Sequence, residues 1–331
     1  MNKKGIPFVC SLLLIAAFRL FARDAAQNAS GTLFVASTIT AEESEEDPIE
    51  LEIGYSRKVF YSVNIQDAAA AAHVLIQKIV QKTGMNVRLT TCVYDDNASI
   101  LSDLRSNKLD IITVLSEDLP ELIAHDAVDP FLVEVEEGGT YENFVLCARN
   151  GAAESGLDFL RGKTLTVSIW VDSELPLFWL EVLLHDKNLP AAAVFFSGIE
   201  HIRKPEQAVM RVFFRKSDAC LVPKQTFSVL CEMNPQIARD MSVIETSPGF
   251  INGVLCLNKS LDETQARSLI EEKLLNMKQE TGGRQMMDLF RVDDFLPYEF
   301  RYLKDTFSVL QQVRALKPPR NPLQTTQDKN P

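Results

Sequence analysis

From residue 49 to residue 316 the chain alternates between two hydrophobic periods. Residues 49–55 (IELEIGY) place apolar side chains at alternate positions, as a strand does, and the alanine-rich stretch 67–83 reads as a helix closed by Gly84. Residues 87–93 give a second, β-branched strand, 97–107 a helix, and 109–115 (LDIITVL) a short, nearly unbroken apolar strand. A run of that last kind belongs to a parallel sheet covered on both faces. Strand, helix, strand, helix, strand predicts right-handed crossovers and an α/β sheet.

The same order returns after residues 141–149 (YENFVLCAR), with strand 165–171, helix 175–186, strand 194–196, helix 205–214 and strand 218–222. Residues 251–257 (INGVLCL) then read as a strand returning to the first unit, followed by helices at 262–279 and 283–289. The pattern predicts two α/β lobes joined by two strand crossings. Lobe 1 takes residues 49–143 with 251–316, and lobe 2 takes residues 144–250. In such an arrangement a ligand sits between the lobes, beyond the C-terminal ends of the strands.

The two ends differ from this body. Lys3 and Lys4 precede an apolar run over residues 6–18 that stops at Arg19, so residues 1–23 read as an export signal. The run is shorter than the roughly 20 residues that span a bilayer. Residues 24–48, with the acidic run Glu42-Glu43-Ser44-Glu45-Glu46-Asp47, read as a solvated linker, and residues 317–331, with Pro318, Pro319 and Pro322, as a disordered tail.

Composition narrows the function. The chain carries 34 Lys and Arg against 45 Asp and Glu, a net charge of −11, and this balance disfavours a partner built of phosphates such as nucleic acid. Cys92, Cys147, Cys220, Cys231 and Cys256 sit among apolar or β-branched neighbours and read as small buried hydrophobes. No CxxC occurs, and none of His73, His125, His185 or His201 has a second ligand type at a metal-binding spacing, so no structural zinc is expected.

Several segments, taken in order, resemble the substrate-binding proteins of phosphate, phosphite and phosphonate ABC transporters. Val93-Tyr94, residues 100–109 and Asp110-Ile111-Ile112 are similar to that family's run of tyrosine, helix, polar turn and strand in the first lobe. Residues 157–163 (LDFLRGK), then Ser197-Gly198-Ile199-Glu200-His201 with Ala208-Val209 and Ser217-Asp218-Ala219, are similar to its second-lobe motifs. Residues 244–249 (IETSPG) resemble its return crossing, and Asp294-Phe295-Leu296-Pro297 its terminal element. The similarity covers residues 49–310. It implies a periplasmic-binding-protein fold of type II, an exported monomer, a small-molecule ligand, a membrane permease as partner, and no cofactor. A ligand-loaded clam that docks a membrane receptor or kinase would show the same pattern, so sensing stays open beside transport.

The departures bear on the ligand. Where phosphonate-binding relatives carry Ser-Thr-Ser-Gly at a helix N-terminus, this chain has Asp172-Ser173-Glu174-Leu175-Pro176. Only Ser173 keeps a hydroxyl, Pro176 has no N–H to donate, and two carboxylates flank the turn. Like charges about 4 Å apart oppose each other by roughly 4 kcal/mol at an effective dielectric of about 20. The first-lobe turn, residues 113–117 (TVLSE), is acidic as well. Phosphonate remains open if Asp172 and Glu174 are solvent-facing caps; otherwise a neutral, zwitterionic or amine-bearing ligand fits better. The expected ligand contacts are Tyr55, Tyr94 and Ser116 from lobe 1, and Ser173, Glu174, His201 and Lys224 from lobe 2. No GxSxG, P-loop, GxGxxG or HExxH occurs, and no catalytic residue is expected.

Overall fold

The computed structural model describes residues 33–39, 49–60, 64–81, 87–135, 141–150, 156–168, 173–261, 265–279, 281–290 and 292–316. The expected export signal and C-terminal tail lie outside these residues, as do Trp170 and Asp172. The chain lays down β1 (Leu33–Ile39), β2 (Ile49–Ser56), α1 (Ile65–Gln81), β3 (Val87–Tyr94), α2 (Asn97–Arg105), β4 (Ile111–Leu115), α3 (Leu119–Ala124) and β5 (Val128–Val135). It crosses to lobe 2 for β6 (Glu142–Arg149), β7 (Thr164–Ser168), α4 (Leu175–Asp186), α5 (Ala192–Phe195), β8 (Gly198–Ile202), α6 (Pro205–Phe213), β9 (Ala219–Pro223), α7 (Lys224–Met233), α8 (Pro235–Asp240) and β10 (Met241–Phe250). β11 (Gly253–Asn258) returns to lobe 1, followed by α9 (Gln265–Leu275), α10 (Thr281–Phe290) and β12 (Asp294–Pro297), and α11 (Lys304–Leu316) ends the described chain.

Lobe 1 is a seven-stranded sheet in the order β1-β3-β2-β4-β11-β5-β12, and lobe 2 a five-stranded sheet in the order β10-β6-β9-β7-β8. β2 runs parallel to both β3 and β4, and β7 parallel to both β8 and β9. Each sheet is buried on both faces, which explains the unbroken apolar runs. In lobe 1 one face packs Tyr55, Leu89, Val93 and Leu115 against Ala68, Ala69 and Ala72 of α1 and Met287 of α10. The other face packs Cys92, Tyr94, Ile112 and Val114 against Ile100, Leu101 and Leu104 of α2. Alanines on α1 let that helix lie close to the sheet. α2 starts where Asp96 accepts the Ser99 N–H at 2.8 Å, the side-chain cap that an aspartate supplies. Lobe 2 repeats the sandwich, with Leu165, Val167 and Leu221 against Trp179 and Leu180 of α4 on one face, and Val145, Cys147 and Val222 against Val209 and Val212 of α6 on the other.

Three expectations need correction. The stretch 24–48, read as a linker, contains β1, whose residues Leu33–Ile39 pair antiparallel with β3 along its whole length. The strand expected at 194–196 is a helical turn ending at Phe195, and the strand follows at Gly198–Ile202. Finally, α11, assigned to lobe 1, spans the lobes. Its Phe307 packs on the lobe 1 cluster around Leu303, while Val309, Leu310 and Val313 are buried in the lobe 2 cluster with Trp179. The stripe Thr306, Val309, Leu310, Val313 has the three-to-four-residue spacing that puts side chains on one helix face.

Candidate interlobe ligand site

In each lobe the parallel strands end on a common edge: β2, β3 and β4 at Ser56, Tyr94 and Leu115, and β7, β8 and β9 at Ser168, Ile202 and Pro223. The loops after β4 and β7 meet. The Ser173 hydroxyl donates to Glu117 Oε2 at 2.5 Å, and the Glu174 and Leu175 N–H groups donate to the same oxygen at 3.1 and 3.2 Å. The two strand-end edges are therefore the facing walls of a cleft between the lobes, closed at this point by Glu117.

These donors are what a helix N-terminus offers. The first N–H groups of α4 have no partner inside the helix and carry the positive end of its dipole. Glu174, which precedes the helix, makes no side-chain cap bond and is exposed; the first N–H groups are capped by Glu117 from the other lobe, and the Leu175 N–H is shared with the Ser173 hydroxyl oxygen at 3.1 Å. The Glu117 side chain is 6% exposed, and Lys58 Nζ lies 3.6 Å from its Oε1. Burial pushes the Glu117 carboxyl above its ordinary range, while the Ser173 hydroxyl and the Lys58 charge pull it back. Lys58 also donates to both carboxylate oxygens of Asp118 at 2.9 and 3.0 Å. Burial pulls the Lys58 ammonium down, but Asp118 and Glu117 outweigh it and hold its pKa above the usual value. Asn97 donates to Asp118 at 3.3 Å and to Glu121 at 2.8 Å, and Arg57 pairs with Asp95 where β2 and β3 end.

The turn that carries Glu117 is fixed from behind. The Ser116 N–H donates to the Asn252 carbonyl at 2.8 Å, and the Ser116 hydroxyl donates to the Ile251 carbonyl, both on the segment between β10 and β11. Ser116 is fully buried, so it anchors the cleft turn to a lobe crossing and does not face a ligand, contrary to expectation. Tyr55 and Tyr94 do stand at the ends of β2 and β3, but their rings are turned into the two cores and are 2% and 1% exposed. Tyr55 packs 5.4 Å from Phe60, and the Tyr94 hydroxyl donates to Asp103 at 2.9 Å. Both rings belong to the cores and neither lines the cleft; burial raises both phenol pKa values far above the ordinary one.

On the lobe 2 side, Ser173 and Glu174 lie at the cleft, together with Glu117. His201 and Lys224 are exposed, one near the end of β8 and the other at the first residue of α7 after β9, on the same strand-end edge as Ser173. Lys58 and Asp118 were not anticipated, and Glu117 was read only as part of an acidic turn. The signal for all three was their position just after strands β2 and β4. Asp218, on the opposite edge, accepts the Thr164 N–H and hydroxyl at 2.8 Å each and supports the start of β7. Among the described residues no group of three or more His, Cys, Asp or Glu is placed to hold a metal ion.

Two α/β lobes around a polar cleft define a two-lobed solute-binding protein. The model of the ABC-transporter phosphonate periplasmic substrate-binding family matches residues 59–300, and the chain belongs to that family. It is thus the solute-binding component of an ABC transporter, captures a small molecule between its lobes, and has a membrane permease as partner. The family is one of exported transport proteins, and among the described residues no helix is long and apolar enough to cross a membrane. Solved structures share the fold at 14% identity. A Xanthomonas citri protein bound to ATP superposes with a TM-score of 0.58 over 80% of this chain and 98% of its own. The binding component of a Pseudomonas aeruginosa ABC phosphonate transporter gives 0.53 over 83% and 90%. A Prochlorococcus marinus protein in complex with methylphosphonate gives 0.53 over 81% and 99%. No curated protein sequence matches the chain.

Proposed function

We propose that the chain is an exported monomer that takes up a small polar solute at the facing strand-end edges and hands it, chemically unchanged, to its permease. The observation that supports this reading is the meeting of the lobes at Glu117 and Ser173, which puts charged and hydrogen-bonding groups from both lobes around one gap. Lys58 and Asp118 from lobe 1, with Ser173, Glu174, His201 and Lys224 from lobe 2, are the proposed solute contacts. Solute that touches both walls favours the closed form by its differential affinity for it. No reaction is assigned to the cleft.

A thermal-shift screen against phosphate, phosphonates, sulfonates, amines, amino acids and nucleobase-like compounds tests the reading. A ligand at 100 times its Kd stabilises the folded protein by about 2.7 kcal/mol, a readily measured shift. A hit is then followed by small-angle scattering, where a fall in radius of gyration marks closure. Silence across the panel, with unchanged scattering, would count against solute capture.

A further inference from the structure

We infer that Glu117 is the specificity-determining residue of the cleft: it is a built-in anion that takes the donors a small oxyanion would use, and so keeps free oxyanions out. The inference deepens the solute-capture reading above and rests on it. Four groups converge on the Glu117 carboxylate: the Ser173 hydroxyl, the Glu174 and Leu175 N–H groups, and the Lys58 ammonium. Three come from lobe 2 and one from lobe 1, and together they are the donor set that binds an anion. Here the position is filled from within the chain. A phosphate, phosphonate or sulfate arriving at the same donors would meet both steric overlap and a like charge.

The carboxylate is also held in place. Ser116 fastens the preceding residue to the backbone at Ile251 and Asn252, and Asp118, the following residue, is clamped by Lys58 and Asn97. The Glu117 side chain is 6% exposed, so solvent does not compete for the Ser173 and backbone donors. A loosely attached surface glutamate could swing aside for an incoming anion; one flanked by two anchored neighbours is displaced only with rearrangement of the turn. The exposed Glu174, next to these donors, adds negative charge that disfavours an anionic solute further.

The test compares wild type, Glu117→Ala and Glu117→Gln by titration calorimetry with inorganic phosphate, methylphosphonate and sulfate, after circular dichroism has shown each variant folded. Alanine vacates the position; glutamine keeps its shape without its charge and serves if the alanine variant fails to fold. The expected result is at least tenfold tighter binding of one of these anions to a folded variant than to wild type. Equal affinity for wild type and variants, within threefold, would overturn the inference while leaving solute capture intact. Absence of anion binding to any of the three proteins would overturn it as well, and a solute found in the panel screen would still support capture.

Discussion

Leu310→Ala removes the central apolar contact of α11 with lobe 2. Leu310 is 8% exposed and lies between Val309 and Val313, each 4% exposed, in the cluster that holds Trp179 and Leu180. Deleting a buried leucine down to alanine costs about 2–5 kcal/mol, the spread depending on how far neighbours relax into the space. Leu310 keeps more exposure than Val309 and Val313 beside it, so the lower part of that range applies, about 2–3 kcal/mol. At about 2–4 °C per kcal/mol this lowers the melting temperature by about 4–12 °C. Tryptophan fluorescence reads the change in the right lobe, because both tryptophans, Trp170 and Trp179, fall within residues 144–250 and Trp179 is buried beside α11. Urea unfolding followed by that emission should show a lower midpoint with an unchanged slope. A shift below about 0.5 kcal/mol, the level of an ordinary surface substitution, would refute the placement of α11 in the lobe 2 core.

Three further outcomes follow from the core. Gly54→Ala would set a Cβ 2.8 Å from both Leu109 Cδ1 and Tyr94 Cε2 and 2.9 Å from Ile112 Cδ1, and should cost about 1–3 kcal/mol by urea denaturation; a neutral substitution would contradict the close packing of β2. His73 is buried with its ring nitrogen 2.9 Å from the Thr91 hydroxyl, and burial lowers its pKa. Its contribution is therefore full above about pH 6.5, the ordinary value, and is lost as pH falls from there toward the lowered folded-state pKa, so wild type should lose more stability than His73→Gln between pH 7.5 and pH 5.5, with equal losses speaking against a neutral buried imidazole. Burial raises the Cys231 thiol too, but Cys231 is only half-buried, whereas burial pushes the fully enclosed Cys92 thiol up to about 12 and raises Cys256 further. Peptide mapping after iodoacetamide treatment should find Cys231 modified first and Cys92, Cys147, Cys220 and Cys256 only on unfolding.

The order of elements was legible because each lobe alternates unbroken apolar strands with amphipathic helices. Helix 175–186 is found at its expected limits, where Pro176 sits in the first turn and the polar Lys187 and Asn188 follow the last. What was missed lacks that contrast. β8 is an edge strand in which none of Gly198, Ile199, Glu200, His201 and Ile202 is buried, so no alternation marks it, and the more apolar residues before it drew the strand assignment. β10 breaks its own period at two register shifts against β6. β1, with the apolar sequence LFVASTI, was overshadowed by the acidic run close behind it.

The cleft shows a different limit. Strand ends correctly marked where Tyr55 and Tyr94 lie along the chain, but which way a terminal side chain turns depends on the packing of α1 and α2 over the two faces. Glu117 and Ser173 are 56 residues apart and belong to different lobes. Local pattern carries no information on such a pairing, so the residue that fills the cleft was visible only as an excess of negative charge.

The described chain begins at the outer edge of lobe 1, in β1, and ends on lobe 2, with the last turns of α11. Because α11 packs on both clusters, Phe307 on lobe 1 and Val309, Leu310 and Val313 in lobe 2, it ties the lobes together in addition to the chain crossings that follow β5 and β10. A helix buried against both lobes must bend or give up one set of contacts when they part, so opening is tied to α11. The protein thereby carries its own gauge. Dyes on the exposed residues Glu50 and Ala315, one in each lobe, would report opening and closing as a change in separation.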